Sequence, residues 1–226
     1  MLFPKTCTMC GKVLENELYV CKNCKREIEY VEEPVCKKCG KQLISSDEEY
    51  CSDCKKYNHE FIQQKAVFTY KGAVRESIYK YKYKNQRFFA DFYIYEVMNL
   101  YGRWIESLRV DVIIPIPVHE DRRRKRGFNQ TEKIAFGLGK KLSIPVRNDL
   151  LFRNKKTIAQ KELNYLERRK NMKSAFEVYD EACYYTRVLL LDDIYTTGAT
   201  MDEASQALKK FGIKKIFCLS ICIGNI

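Results

Sequence analysis

Eight of the eleven cysteines fall within the first 54 residues, where they form four Cys-x-x-Cys pairs. A Cys-x-x-Cys turn presents two thiolates to one side of a metal ion, and a second such turn completes a tetrahedron. Four protein ligands leave no open coordination position, so the sites are expected to be structural. The pattern predicts two Zn²⁺ sites whose ligands are Cys7, Cys10, Cys21, Cys24, Cys36, Cys39, Cys51 and Cys54.

The cysteine pairs form an internal repeat, because CTMCGKVL is echoed by CKKCGKQL 29 residues later. We interpret the first four cysteines as ligands of one ion and the last four as ligands of another, but the spacing also permits a nested arrangement. Iron is the minor alternative in such a site. Redox-active Cys-x-x-Cys pairs need a thioredoxin-like setting, which nothing here indicates. The other cysteines, Cys183, Cys218 and Cys222, are predicted to be small core residues.

The segment VLLLDDIYTTGAT, residues 188–200, combines an apolar run, two acids and a threonine-glycine turn. Two carboxylates can accept hydrogen bonds from the vicinal hydroxyls of a ribose. A helix that begins after the turn offers unpaired N–H groups to a phosphate, and Gly198 allows close backbone approach. The segment therefore predicts a ribose 5-phosphate site formed by Asp192, Asp193, Thr196, Thr197, Gly198, Ala199 and Thr200. In the alternative interpretation, Asp193 only caps the helix and the threonines only form a turn.

Five consecutive basic residues follow the apolar segment DVIIPIPV and precede Gly127 and Phe128. Such a run is commonly a solvated surface. Beside a phosphate site, however, it would bind pyrophosphate or the backbone of a nucleic acid. Phe128 would either stack on a base or pack in the core. We predict an anion-binding loop that contains Arg122, Arg123, Arg124, Lys125, Arg126, Asn129 and Gln130. The two histidines, His59 and His119, decide little, since His119 would either bind a phosphate or have a structural role.

The net charge of +12 lies entirely in the second part of the chain. Residues 1–58 contain ten basic and ten acidic residues, whereas residues 59–226 contain 31 and 19. Each Zn²⁺ ion bound by four thiolates carries a formal charge of about −2, which makes the first part acidic. The second part is therefore expected to face polyanions.

After residue 60, predicted strands alternate with predicted helices. The segment 72–85 is ambiguous, because YKYKYK alternates like a strand, but a helix is favoured since no breaker interrupts it. The other strands are predicted at 66–70, 110–118, 187–191 and 215–222, and the other helices at 88–108, 131–142, 163–170 and 199–211. This order predicts a doubly wound α/β fold with a mostly parallel sheet, whose ligands bind at the carboxyl ends of the strands.

We divide the chain into a double zinc ribbon over residues 1–58 and the α/β domain over residues 59–226. The start MLFPKTCTMCGK has no signal-peptide pattern. The apolar runs are far shorter than the roughly 20 residues that span a bilayer. We therefore expect a cytoplasmic protein without a membrane span.

The segment DDIYTTGAT resembles the phosphoribosyl-pyrophosphate motif of type I phosphoribosyltransferases. The resemblance implies that the acidic pair holds the ribose hydroxyls, that the TTGAT loop holds the 5-phosphate, and that Mg²⁺ bridges the pyrophosphate. Thr196 departs from the hypoxanthine-type members, which carry an aspartate there. Threonine cannot act as a general base at neutral pH, so that chemistry is not expected and we assign no catalytic residue.

Further pieces extend the resemblance over nearly the whole chain. These are the double ribbon, then PIPVHxxRxxxRGFNQ, then Arg153 with Gln160 and Leu163, then RRxN and AF from residue 168 to residue 176, and finally DDIYTTGAT. In this order they resemble the ComF family of competence proteins. The resemblance implies a phosphoribosyltransferase-like domain, a role in the uptake of single-stranded DNA during natural transformation, and a helicase-like ATPase as partner, with the ribbons as docking module. The alternatives are an active phosphoribosyltransferase of unknown acceptor and a module that senses phosphoribosyl pyrophosphate.

Overall fold

The computed structural model describes residues 5–15, 19–84, 86, 88–154 and 165–224. In these ranges the helices are α1 (Lys22–Glu27), α2 (Ser52–Lys56), α3 (Gly72–Tyr83), α4 (Phe89–Leu108), α5 (Glu120–Arg126), α6 (Gln130–Leu142), α7 (Tyr165–Met172) and α8 (Ala199–Lys210). The strands are β1 (Gln63–Thr69), β2 (Val112–Pro115), β3 (Leu151–Arg153), β4 (Phe176–Val178), β5 (Arg187–Tyr195) and β6 (Lys215–Ile223). Among the described residues, no helix has both the length and the apolar character needed to cross a membrane.

The central sheet is parallel, with the strand order β1-β6-β5-β2. The strand β5 lies between β6 and β2, and its residues 188–191 are completely buried. A continuous apolar run is what a strand needs when both of its neighbours and both of its faces are covered. The short strands β3 and β4 form a separate antiparallel pair. The predicted α/β class with a parallel sheet is confirmed.

Alternate residues of β5 enter two different apolar cores, one on each face of the sheet. Leu189 and Leu191 pack with residues of α3, α4 and α6, whereas Val188 and Leu190 pack with residues of α8. This alternation follows from the two-residue period of a strand. Helices therefore cover both faces of the sheet, as the doubly wound prediction requires.

The ambiguous segment before residue 85 forms the helix α3, as favoured. Its buried residues Val74, Ser77, Ile78 and Tyr81 recur with helical spacing, so one face of the helix supplies the core. The lysines between the tyrosines are half-buried, and Lys80 donates a hydrogen bond to the Met9 carbonyl at 2.6 Å. The predicted helix at 163–170 is observed as α7, and its first two predicted residues lie outside the described ranges.

Three predictions need correction. The basic run is not a loop but part of the helix α5, because charged residues with good helix propensity extend the turn that His119 begins. The strand β5 does not end before Asp192 but continues to Tyr195, where it still pairs with β6. Cys218 and Cys222 are buried as predicted, but Cys183 is exposed on a short 3-10 helix at Asp180–Tyr184.

The segment between the two cysteine units covers the free edge of β1. The Thr69 amide donates to the Glu29 carbonyl at 2.9 Å, and the Val31 amide donates to the Val67 carbonyl at 3.0 Å. An uncovered edge strand is a template for unwanted pairing, so this cover protects the sheet. Cys7, Met9, Leu14 and Cys24 of the first unit share one apolar core with β1, α3 and α4. The cysteine-rich region is therefore packed on the α/β domain.

Candidate functional site

The eight cysteines of the N-terminal region form two tetrads. Within each tetrad, all four sulfur atoms lie within 4.8 Å of one another. One tetrad consists of Cys7, Cys10, Cys21 and Cys24, and the other consists of Cys36, Cys39, Cys51 and Cys54. The ligands of each tetrad thus come from consecutive pairs, and the nested alternative is wrong.

The distances between sulfur atoms fit a tetrahedral metal ion. They are 3.8 Å between Cys10 and Cys21 and 3.6 Å between Cys39 and Cys51. A tetrahedral Zn²⁺ ion with Zn–S bonds of about 2.3 Å requires sulfur atoms about 3.8 Å apart. A disulfide would instead bring them to about 2.05 Å. Both tetrads are therefore suited to zinc, which would hold each knuckle together.

The two units repeat the same backbone turn. The Gly11 amide donates to the Cys7 carbonyl at 2.9 Å, and the Gly40 amide donates to the Cys36 carbonyl at 2.9 Å. Both glycines have left-handed φ angles, 80° and 69°. Because side chains disfavour this conformation, glycine is needed after each cysteine pair. The sequence repeat is thus a structural repeat.

The acidic pair lies on β5 beside the end of β2. Pro115, the last residue of β2, pairs with Leu191, so the next two residues of β5 extend past their neighbour. The Asp193 carboxylate forms an ion pair with the Lys82 ammonium of α3 at 2.7 Å, and the two side chains are 14% and 13% exposed. Burial, and then the neighbouring Asp193, raise the pKa of Asp192 to about 7. Asp193 is therefore already paired with a cation, whereas the pKa of Asp192 lies near neutral pH.

The turn after β5 is shaped by contacts within the protein. Gly198 has a left-handed φ of 80° and precedes the first residue of α8. A Cβ atom at this position would lie 2.6 Å from the Tyr195 hydroxyl and 2.8 Å from Cε1 of His59. The buried Thr197 accepts a hydrogen bond from the Ala199 amide at 3.4 Å. Glycine is thus required here by His59 and Tyr195, and phosphate binding by the turn stays a prediction.

A buried hydrogen bond between His59 and Asp202 fixes the first turn of α8. His59 Nδ1 and Asp202 Oδ2 are 2.9 Å apart, with the side chains only 1% and 6% exposed. The other Asp202 oxygen accepts a hydrogen bond from the Glu60 amide at 2.9 Å. The junction after the cysteine region is therefore anchored to the helix beside the acidic pair. Sequence reasoning missed this role of His59, because the partner lies 143 residues away.

The basic helix α5 divides its charges between two sides. His119 caps its start by accepting a hydrogen bond from the Asp121 amide at 3.2 Å, and Gly127 ends it with a left-handed φ of 76°. Arg123, Arg124 and Lys125 are exposed. Arg122 and Arg126, one helical turn apart, are half-buried on another side. The basic residues of α5 thus form two groups. Three cations face solvent, and two arginines, the inward pair, are half-buried against the protein.

The inward pair meets a third arginine near the acidic residues. Burial and then Arg126 lower the pKa of Arg122, whereas Asp193 and Asp192 act in the opposite direction. Burial and then Arg122 lower the pKa of Arg153 on β3 to about 10, again opposed by Asp192. Arg122 and Arg153 therefore lie within electrostatic range of the two carboxylates, next to the Lys82–Asp193 ion pair, and Arg126 lies near both arginines. The sequence pointed to Arg153 only through the family resemblance, and no signal pointed to Lys82.

Asn129 and Gln130 are buried where α5 meets α6. The Asn129 side chain donates to the Ile116 carbonyl at 3.1 Å and accepts from the Thr131 amide at 3.1 Å, so it caps α6. The Gln130 side chain accepts from Arg126 at 2.9 Å. Phe128 packs edge-on against Tyr81 with ring centroids 5.6 Å apart. Gln130 thus holds the basic helix in place and Asn129 fixes the start of α6, and their contact with an anion stays a prediction.

Residues 1–55 match the family model described as "Double zinc ribbon domain". Competence protein F of Haemophilus influenzae is 39% identical over 108 residues, which cover 47% of this chain and 47% of that protein. Competence protein ComFC of Streptococcus pneumoniae is 27% identical over 161 residues, which cover 71% of this chain and 68% of that protein. The chain thus spans about half of the first relative's length and about two thirds of the second's.

A solved structure also overlaps with part of the chain. It is the glutamine phosphoribosylpyrophosphate amidotransferase of B. subtilis in complex with ADP and GMP, at 15% sequence identity and a TM-score of 0.33. The overlap covers 51% of this chain and 24% of that chain. Two kinds of observation point to the same group of proteins: the double zinc ribbon followed by an α/β domain with a parallel sheet, and the similarity to relatives named competence protein. The chain is therefore similar to the ComF-type competence proteins and matches the double zinc ribbon model in its N-terminal region.

Proposed function

We propose that the α/β domain binds a ribose 5-phosphate group, carried by phosphoribosyl pyrophosphate or a nucleotide, and that the protein takes part in single-stranded DNA uptake during natural transformation. The observation that carries the first part is the surrounding of the acidic pair by cations. Asp192 and Asp193 extend past the end of β2, with Lys82, Arg122 and Arg153 around them. The crevice outside the carboxyl ends of parallel strands is the usual ligand site of such a fold.

Each group of the site matches one part of this ligand. The two carboxylates would accept hydrogen bonds from the ribose hydroxyls, and the first amides of α8 would donate to the 5-phosphate. The arginines would bind a pyrophosphate group, because guanidinium groups suit phosphate oxygens. Carboxylate oxygens also suit Mg²⁺, which would neutralise the pyrophosphate. In the free protein Lys82 is paired with Asp193, so a ribose hydroxyl would have to compete with this ammonium.

We propose binding rather than transfer of the phosphoribosyl group. Thr196 stands at the position where a general base would be needed for hypoxanthine-type chemistry, and its hydroxyl cannot serve at neutral pH. A module that senses phosphoribosyl pyrophosphate would use the same binding groups. An active transferase would in addition release pyrophosphate when an acceptor is supplied.

The role in DNA uptake is supported by charge and by the relatives. The whole excess of positive charge lies after residue 58, and three cations of α5 are exposed. Exposed cations bind the backbone of nucleic acids with release of counterions. The two relatives from Haemophilus influenzae and Streptococcus pneumoniae carry the name competence protein. Single-stranded DNA is therefore the polyanion that we propose for α5.

We further propose that the chain divides into a docking module, residues 1–58, and a ligand-binding domain, residues 59–226. A cleft of about 310 Å³ separates the first ribbon from α4 and is lined by aromatic residues that include Tyr19, Tyr30, Phe92 and Tyr95. A cleft of this lining suits an apolar side chain of another protein. The helicase-like ATPase that the family resemblance implies is the partner we propose for this module.

Calorimetry with ribose 5-phosphate and with 2-deoxyribose 5-phosphate tests the sugar site. A hydrogen bond to a charged group contributes about 1.5 to 3 kcal/mol, so we expect the deoxy ligand to bind about 10- to 150-fold more weakly. Asp193→Asn should weaken ribose 5-phosphate binding and reduce this difference, whereas Asp180→Asn, at an exposed position of the 3-10 helix, should change neither.

The same titration with phosphoribosyl pyrophosphate and Mg²⁺, followed by a pyrophosphate assay with candidate bases, separates a binder from a transferase. Release of pyrophosphate in every turnover would identify an enzyme. Equal affinity for the two sugar phosphates, together with an unchanged affinity of Asp193→Asn, would refute the assignment of the acidic pair.

A further inference from the structure

Two tyrosines on α3 expose large aromatic surfaces next to the basic helix. Tyr79 and Tyr83 are 51% and 53% exposed, although tyrosine rings usually bury much of their area. They lie one helical turn apart, with ring centroids 5.1 Å apart and planes tilted by 42°. The core is supplied by the opposite face of α3, which includes Ile78 and Tyr81. The rings of Tyr79 and Tyr83 therefore do not pack in the core.

Contacts to α5 hold one of these rings in place. The Arg126 guanidinium lies 4.9 Å from the centroid of Tyr83, and its Nη2 donates to the Tyr83 hydroxyl at 2.9 Å. The other end of the same guanidinium donates to the buried Gln130 at 2.9 Å. Because Arg126 is fixed on both sides, the ring of Tyr83 is already ordered before a ligand arrives. An ordered aromatic surface loses less conformational entropy on binding than a mobile one.

Positive charges continue on both sides of the tyrosine pair. Arg75 is exposed and lies one turn before Tyr79 on the same face of α3. Beyond Arg126, the helix α5 exposes Arg123, Arg124 and Lys125. Aromatic rings that alternate with cations are typical of surfaces that bind single-stranded nucleic acids, because the bases stack while the phosphates meet the charges.

We propose that Tyr79 and Tyr83 form a stacking platform for unpaired bases of single-stranded DNA whose phosphates contact α5. The proposal rests on the DNA-binding part of the proposed function and names the residues that distinguish single strands from duplex. In a duplex both faces of each base are already stacked, so such a platform has nothing to bind. The platform is separate from the acidic pair, which binds the sugar phosphate.

The test measures the affinity of the full-length, zinc-loaded protein for a fluorescent oligothymidine by anisotropy. Alanine at a stacking position weakens binding by about 5- to 150-fold, so we expect this loss for Tyr79→Ala and a larger one for the double variant with Tyr83→Ala. Tyr79→Phe keeps the ring and should retain nearly full affinity. Tyr184→Ala, which removes an even more exposed tyrosine on the 3-10 helix, should have no effect. The salt dependence should stay unchanged in all of them, because no charge is removed.

An abasic oligonucleotide of the same length gives a second measurement that needs no variant. It keeps the phosphates and removes the bases, so the wild type should bind it more weakly by a similar factor. The alanine variants should bind both oligonucleotides alike. If wild type and alanine variants show the same preference for bases, the platform is refuted while DNA binding by α5 stands. If the wild type binds duplex equally well, the platform is refuted while the contact of α5 with the phosphates stands. If the wild type does not bind oligothymidine, both the platform and the proposed DNA contact fail, and the sugar-phosphate site is unaffected.

Discussion

Replacing Asp192 by asparagine is expected to stabilise the folded protein at pH 8, although it removes one carboxylate of the proposed sugar site. Burial, and then Asp193, raise the pKa of Asp192 from 3.8 to about 7, while Lys82 and Arg153 act in the opposite direction. Ionisation of this carboxyl is thus unfavourable in the folded state. Asparagine keeps the oxygen that accepts the hydrogen bond from the Asp193 amide at 2.8 Å.

The sign follows from the linkage between protonation and folding. A carboxyl whose pKa is higher in the folded than in the unfolded state binds its proton more tightly in the folded state. The stability that Asp192 contributes is therefore complete below its unfolded pKa of 3.8 and is lost as the pH rises through about 7. The shift of about three units corresponds to at most about 4 kcal/mol. Because Asp192 is only partly buried and solvent screens its charge, we expect a gain of about 1 to 3 kcal/mol for the asparagine variant at pH 8.

Urea denaturation of the zinc-loaded wild type and Asp192→Asn, at several pH values from about 4 to about 8, measures this difference directly. The free energies of unfolding should be similar at the acidic end and should diverge as the pH rises, and titrating groups far from Asp192 cancel in the comparison. Asp180→Asn serves as the matched control at an exposed carboxylate. A variant that is less stable than the wild type at pH 8, or a difference that does not change with pH, would refute the claim that ionisation of Asp192 destabilises the folded protein.

Two further predictions concern the ribbons and the basic helix. Removal of zinc by a chelator should unfold the cysteine region and also reduce the protection of the β1 amides in hydrogen exchange, because the Val31 and Thr69 bonds cover that edge. The amides of β5 should stay protected. Full protection of β1 would show that the ribbons are dispensable for the sheet. Replacing Arg123, Arg124 and Lys125 by glutamine should weaken binding of single-stranded DNA and reduce the slope of log affinity against log salt by about 2, since each phosphate contact contributes about 0.7. An unchanged slope would mean that these cations are only a solvated surface.

Local spacing was sufficient to predict the features that depend on neighbouring residues. A Cys-x-x-Cys turn and its glycine form a knuckle wherever the chain places them, so the eight ligands were predicted from sequence. The apolar run before Asp192 predicted a strand buried on both faces, and residues 188–191 are completely buried. The helix α3 was predicted with less information, because the alternation of its tyrosines and lysines is also compatible with a strand.

Contacts between distant segments were not predictable in the same way. The pairing of Lys82 with Asp193 and of His59 with Asp202 joins residues that are far apart in sequence, and neither local spacing nor composition carries a signal for them. The sequence by itself therefore determined the metal ligands, the fold class and the segment of the acidic pair, since these depend on local backbone geometry and on the period of apolar residues. Only the tertiary structure decided which cations face the carboxylates and which face solvent, because the order of the strands and the packing of α3 and α5 bring those side chains together.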